Sequence, residues 1–344
     1  MNRRCHRQQS ARAGVTVIEL LVAAAVCSIL MALIAPAVMR TRESARRLQC
    51  QNNLRQLGLA ATGHQAANQR FPYTAMNALD PNQKILPAIS PLSPMLPYLD
   101  QAAVYDRVDF SDATAVELSG PVFSMSPTNL ALISVGIPVF RCPSDRDHRG
   151  TNYRANMGPS PFVYWFDNMG CASPGPKPGA GAFVHQRSLT SGEFPDGLAN
   201  TIFFSERVVG SVSSSPYDPW RDVFCARLGR GFCSADEAVS VCQSQVRANS
   251  PHASAIGSTW IFGGWQHTWY NHVLPPNSPI PDGSDCCAAC AGGGDVLMTV
   301  RSEHPGGVNV VMGDGAARFV SDRIDISIWQ ALSTRAGSAP TSGW

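Results

Sequence analysis

Charge is scarce in this chain. Only 15% of its 344 residues are Asp, Glu, Lys or Arg, and the signs nearly cancel at 27 basic against 25 acidic. Arg3, Arg4, Arg7 and Arg12 lead the chain, and no basic tract remains without them that would follow a nucleic-acid backbone. No nucleic-acid partner is therefore expected. Catalytic layouts are missing as well: there is no G-x-S-x-G elbow, no H-E-x-x-H and no G-x-x-x-x-G-K-S/T loop. No twelve-residue EF-hand loop occurs. The pair Cys287 and Cys290 makes a C-x-x-C, but no second one completes a four-thiolate zinc site. No internal repeat of the solenoid kind is present.

What the chain does have is one long apolar run. Residues 14–38 read GVTVIELLVAAAVCSILMALIAPAV, behind the basic leader MNRRCHRQQSARA. As a helix rising 1.5 Å per residue, the stretch from Val15 to Val38 is roughly 36 Å long, enough to cross a hydrocarbon core of about 30 Å. Its single charge, Glu19, is costly in such a setting and implies a partner. A secretory signal would place its small-residue cleavage site after the apolar region, whereas here Gly14 precedes it. An uncleaved signal anchor is the plain alternative. Arg40, Arg42, Arg46 and Arg47 follow the run, so the positive-inside rule does not orient it.

The residues from Gly14 to Val22, GVTVIELLV, closely resemble the prepilin cleavage and methylation motif of type IV pilins and type II secretion pseudopilins. On that resemblance Gly14 precedes the cut and Val15 is the N-methylated first residue of the mature chain. Glu19 is its acidic fifth residue, and Pro36 matches a proline often found further along the helix. The resemblance implies prepilin peptidase, the membrane and other pilin-like subunits as partners. It implies a single-pass inner-membrane protein, with the leader inside and residues 39–344 in the periplasm or at the cell surface. The freed amine of Val15 is positive near neutral pH. Glu19 of one subunit then faces the amine of a neighbour, a low-dielectric pairing whose role is registry. Pro36 either opens the helix locally or ends it at the membrane surface. Loss of the four leader arginines takes the side-chain balance from +2 to −2.

The helix continues through TRESARRLQCQNNLRQLGLAATGHQ, where Cys50, Leu54, Leu57 and Ala61 form one stripe that packs on a globular domain. Gly63 and then Pro72 mark its end. The expected division is a leader at 1–14, a membrane part at 15–38, an outer helix at 39–65 and a globular domain at 66–344. With 29 glycines and 26 prolines, that domain is loop-rich and built from short strands. Strands are predicted at 136–145, 181–186, 200–209 and 258–264, and a short helix from SPMLPYLDQ onward. The segment 309–322 reads as a hairpin turning on Asp314-Gly315, and 324–332 as a short amphipathic helix. Trp165, Trp220, Trp260, Trp265 and Trp269 are scattered and belong to core or loop packing. Nine cysteines lie beyond the leader and the apolar run: Cys50, Cys142, Cys171, Cys225, Cys233, Cys242, Cys286, Cys287 and Cys290. An exported location favours disulfides. The odd number leaves one thiol free or paired between chains, and the pairing is not deducible from spacing. In DCCAACAGGGD, local disulfide staples are the better reading and zinc the lesser one.

Several downstream phrases resemble a large group of bacterial pseudopilin-like proteins of unknown function, marked by a prepilin motif and a C-terminal H-x-G-G…D-G element. They are RLQCQNNLRQLGLA (47–60), FRCPSD (140–145), TNYRANMG (151–158), FPDGLANTIFFSER (194–207) and SEHPGGVNVVMGDGAARFVSD (302–322). The resemblance implies an α+β fold, pilin-like, with a long N-terminal membrane-spanning helix packed on an antiparallel sheet domain. Cys-rich loop insertions are placed near 211–257 and 265–292. Within the matched phrases Cys50 and Cys142 are the disulfide candidates. Closing a loop of about 90 residues is worth roughly 4–5 kcal/mol in the chain-entropy model. Gly306-Gly307 allows a tight backbone path before a buried strand, and His304 on that path reads as a structural histidine donating to a carbonyl. Asp196-Gly197 and Asp314-Gly315 are turns first.

No cofactor is expected. The related major pseudopilin of type II secretion binds calcium, however, and Asp282, Asp285, Asp295 and Asp314 offer hard oxygens in Gly-rich loops. A hydrolase triad of His304, Asp314 and Ser205 can be drawn, although no spacing selects that serine. The reading is a non-enzymatic, membrane-anchored, pseudopilin-like assembly subunit. The alternative is a non-polymerising exported module that binds a solute, a glycan or a protein.

Overall fold

A computed structural model describes residues 16–75, 78–79, 85–86, 88–111, 115–116, 123–124, 126–147, 149–162, 179–213, 216–226, 232, 234–246, 250–284 and 295–337. Gly14, Val15, Trp165, Asp285, Cys171, Cys233, Cys286, Cys287 and Cys290 lie outside the described residues. The chain divides into two compact units, Met1–Ala45 and Arg46–Trp344.

Helix α1 (Val17–Asn68) is 52 residues long. Its first turn is closed by a capping box. Thr16 donates its N–H and hydroxyl to Glu19 Oε2 at 2.8 and 2.9 Å, and the Glu19 N–H donates to Thr16 Oγ1 at 3.3 Å. The isolated charge of the apolar run thus has a partner in its own helix. Pro36 lies inside α1 and does not end it. Gly63 does not end it either: the helix passes through to Asn68, and Gln69 then turns the chain at φ 60°. Within the first unit, every side chain from Val17 to Val38 is exposed. Within the second unit, Cys50, Leu54, Leu57 and Ala61 are completely buried, as their helical spacing requires.

The second unit holds two small antiparallel ladders, β1 (Ala78–Leu79) with β2 (Ile85–Leu86) and β3 (Ala115–Val116) with β4 (Phe123–Ser124). Short helices α2 (Ala102–Tyr105) and α3 (Pro127–Ile133) lie between and after them. The main sheet takes β5 (Tyr153–Asn156), β6 (Ile202–Glu206), β9 (Trp269–Tyr270), β12 (Gly307–Met312) and β13 (Ala317–Ser321), in the order β13-β12-β6-β5-β9. A second sheet takes β7 (Val223–Cys225), β8 (His252–Ala253), β10 (Gly283–Ser284) and β11 (Val296–Leu297), in the order β11-β10-β7-β8. Helix α4 (Ala235–Gln245) starts on a Ser234 cap, and α5 (Ile326–Ala331) on an Asp325 cap.

The fold class is α+β, but the sheets are mixed rather than antiparallel. The pairs β5–β9 and β7–β10 run parallel. The β12–β13 hairpin forms, and Gly315 takes φ 85° in its turn. Helix α1 comes so near this turn that a Cβ on Gly58 would stand 2.6 Å from Val311 Cγ2 and 2.9 Å from Gly315 Cα. The alternating apolar residues of β12, all buried, meet the α1 stripe in one core.

Three predicted strands are not strands. The segment 136–145 holds a single 3-10 turn, Pro138–Phe140, because Pro138 starts the turn and lacks an N–H for a ladder. The segment 181–186 makes only isolated bridges. The segment 258–264 is irregular, without a strand ladder: Thr268 Oγ1 donates to Phe262 O, and the Ser90 N–H and Ser93 Oγ both donate to Ile261 O. Trp260, Ile261 and Phe262 are buried there, so the apolar signal is real while the backbone forms no strand. The core also reaches into the 265–292 segment, since β9 is the edge strand of the main sheet.

Candidate functional site

The quoted downstream phrases, far apart in sequence, converge on one buried polar centre. Strand β6 is apolar through Ile202, Phe203 and Phe204, then ends in Ser205 and Glu206, followed by Arg207. All of these are buried. Burying such charges is costly unless each is met by a partner.

Most of them are met. Asp282 is buried between two guanidiniums, with Arg207 Nη2 at 2.7 Å from Oδ2 and Arg301 Nη2 at 3.2 Å from Oδ1. The Thr299 N–H also donates to Oδ1. Burial pushes the Asp282 carboxyl up, but Arg301 and Arg207 together hold it below its ordinary value. Burial lowers the Arg207 pKa, with the neighbouring Arg301 charge adding to the fall and Asp282 opposing it. Asp145 accepts from Arg221 Nη2, Asn152 Nδ2 and the Val209 N–H at 2.7–2.8 Å. Glu303 takes a second bond from the same Arg221 nitrogen, at 2.7 Å. Arg221 is lowered by burial and raised more by Asp145 and Glu303. Arg154 donates to carbonyls alone, to Trp265 O at 2.7 Å, Trp269 O at 3.3 Å and Gln266 O at 3.4 Å. Its guanidinium thereby clamps the segment leading into β9.

Beside this network lies a smaller group. Cys50 of α1 and Cys142 form a disulfide, with Cα atoms 4.9 Å apart. His304 Nε2 is 3.4 Å from Cys142 Sγ and 3.5 Å from Glu206 Oε2. The approach of His304 is set by Ser302, whose hydroxyl accepts the His304 N–H and donates to Gly307 O. Gly306 takes φ 82°, and a Cβ on Gly307 would stand 2.0 Å from Val320 O, so the tight path before β12 is real. Glu206 Oε1 accepts from the Asn309 N–H at 2.6 Å and from Asn309 Nδ2 at 3.1 Å. The histidine therefore faces a carboxylate and a sulfur on its Nε2 side. A cavity of about 10 Å³, the size of one water, opens between Cys142, Glu206, Arg207 and Ser302.

Other candidates go elsewhere. Ser205 Oγ donates to Asn309 O inside the sheet, and Asp314 Oδ1 accepts the Ala316 N–H in the hairpin turn, so the drawn triad with His304 does not assemble. Asp282 is taken by the arginines and Asp295 accepts the Phe232 N–H. Among the described residues, the aspartates weighed for calcium form no metal-competent group. A groove of about 500 Å³ runs between α1 and the β12–β13 turn, with Gln51, Asn52, Arg55, Asp314 and Arg318 as its polar lining and Leu59 and Ala317 among its apolar lining. Cys225 is also in a disulfide, while Cys242 is free and buried.

Sequence reasoning found Cys50, Cys142 and His304 but passed over Glu206, Asp145, Asn309 and the four buried arginines. The available signal was an ionisable residue closing an apolar run, as in IFFSER.

Residues 39–327 match the family described as "Protein of unknown function (DUF1559)", and the chain belongs to it. The match starts beyond the apolar run and covers every residue of the buried polar centre. No curated protein and no solved structure matches the chain.

Proposed function

We propose that this protein is an exported, membrane-anchored, pilin-like subunit whose role is assembly or display rather than catalysis. The observation that carries the reading is the first part of α1. It is long and apolar enough to cross a membrane. The Cys50–Cys142 disulfide fits an oxidising compartment outside the cytoplasm. On this reading prepilin peptidase cuts after Gly14 at the inner membrane, and Val15 begins the mature chain. The capping box gives Glu19 a resting partner, so the amine of a neighbouring subunit would compete with Thr16 for that carboxylate.

Mass spectrometry of the mature N-terminus tests this. The expected result is a chain that begins at a methylated Val15. A chain starting at Met1, or trimmed beyond residue 30, overturns it. Glu19→Ala is expected to leave cleavage largely intact and to block incorporation into oligomers.

The groove beside α1 favours a second reading, an anchored module that binds a partner without polymerising. Cross-linking in native membranes separates the two: a ladder of homo-oligomers belongs to assembly, one heterologous adduct to the module.

A further inference from the structure

Cys50, Cys142, Glu206 and His304 come from α1, the turn after Phe140, the end of β6 and the turn before β12. All four are buried, and their sulfur, oxygen and nitrogen atoms lie within 4.8 Å of one another. Two soft sulfurs, one imidazole and one carboxylate are a donor set suited to four-coordinate zinc.

The carboxylate is already arranged as a ligand would be. One oxygen of Glu206, Oε1, is fixed by two N–H donors from Asn309. The other, Oε2, is buried and accepts no hydrogen bond among the described residues. It is directed at the cluster, 3.5 Å from His304 Nε2. An outer donor that fixes one oxygen and frees the other is the usual support of a metal-bound carboxylate. The backbone of His304 is fixed by Ser302, whose hydroxyl accepts its N–H.

In the disulfide the two sulfurs are neutral and bonded to each other. Two electrons and two protons from a dithiol, which itself closes to a disulfide, break that bond and leave two thiols. Zinc then displaces the two thiol protons to solvent and takes both thiolates. Without a cation, two thiolates beside a buried carboxylate would repel one another in a low-dielectric site.

We propose that reduction of Cys50–Cys142 converts this cluster into a zinc site built from both thiolates, His304 and Glu206. The core then holds either a disulfide or a metal, never both.

The test uses the full chain in detergent micelles, oxidised or reduced with dithiothreitol and then freed of reductant. Each form is titrated with Co²⁺ and then with Zn²⁺, and near-UV circular dichroism follows the fold. The reduced chain is expected to bind Co²⁺ with the absorption of a four-coordinate ion and a thiolate charge-transfer band, both abolished by Zn²⁺. His304→Ala and Glu206→Gln should each weaken binding by about tenfold or more. Cys50→Ser with Cys142→Ser should remove the signal, and Cys287→Ser with Cys290→Ser should keep it. Equal binding by the oxidised chain overturns the proposal. So does a folded reduced chain that gives no cobalt spectrum, or an affinity unchanged in both His304→Ala and Glu206→Gln. Loss of the near-UV signal on reduction, with zinc present, overturns it as well.

Discussion

The two parts of helix α1 obey different solvents. From Val17 to Val38 the side chains, Glu19 and Ser28 apart, are apolar on every face and all exposed, while from Cys50 to Ala61 the apolar residues, Leu59 apart, are buried. A helix apolar all round suits a bilayer, and one apolar on a stripe suits a protein core. The first part depends on the phase around it, the second on shape and on the groups that face it.

Four experiments break or sharpen this contrast. The largest effect belongs to the second part: Cys50→Ser with Cys142→Ser should lower the unfolding free energy of the domain by about 4–5 kcal/mol, read as a fall in thermal midpoint. Membrane retention should be unchanged, and a midpoint within error of the parent would refute the staple.

Acid comes next. Burial lowers His272 to about 3, and burial together with the Arg154 charge lowers His267 to about 3. Unfolded, each titrates near 6.5, so the unfolded chain takes up protons first and stability falls as pH drops from 6.5 toward 3. Between pH 7 and pH 5 the loss should be about 2 kcal/mol for each histidine. His272→Asn should flatten the fall in midpoint, and an equally steep profile would exclude that residue as its source.

Ile29→Arg reverses the pattern. It places a charge in the exposed apolar part, at an insertion cost of about 2.5–3.5 kcal/mol. Carbonate extraction should release more of the variant from membranes, with no change in the domain's melting. Gly58→Ala is the mildest, costing about 1–3 kcal/mol through the contact with Val311 and Gly315. Retention after extraction should match the parent, and a raised midpoint would mean that the hairpin yields.

The features legible in the sequence were the periodic ones. The stripe at Cys50, Leu54, Leu57 and Ala61, the β12–β13 hairpin, β6 and α5 all announce themselves through spacing or turn residues within a few positions. The segments 136–145 and 258–264 misled because apolar content was read as extended backbone. There the aromatics are buried by loops, a hydroxyl takes the carbonyl of Phe262, and a single loop N–H, from Ser90, joins the Ser93 hydroxyl on that of Ile261. The site was half legible. His304 stood out beside two glycines, but its sulfur neighbour lies 162 residues away, and no local pattern joins it to Glu206. Likewise nothing near Arg154 shows that it grips the carbonyls of Trp265 and Trp269, 111 and 115 residues on.

The capping box at the head of α1 has one more consequence. On the assembly reading proposed above, a subunit alone in a bilayer would not carry a bare anion, because Thr16 already supplies two donors to Glu19. Recruitment into a larger array would then be a swap of one bonded state for another. On that same reading, Thr16→Val takes the hydroxyl from Glu19 and leaves it the backbone N–H alone, so subunits should join arrays somewhat more readily than the parent.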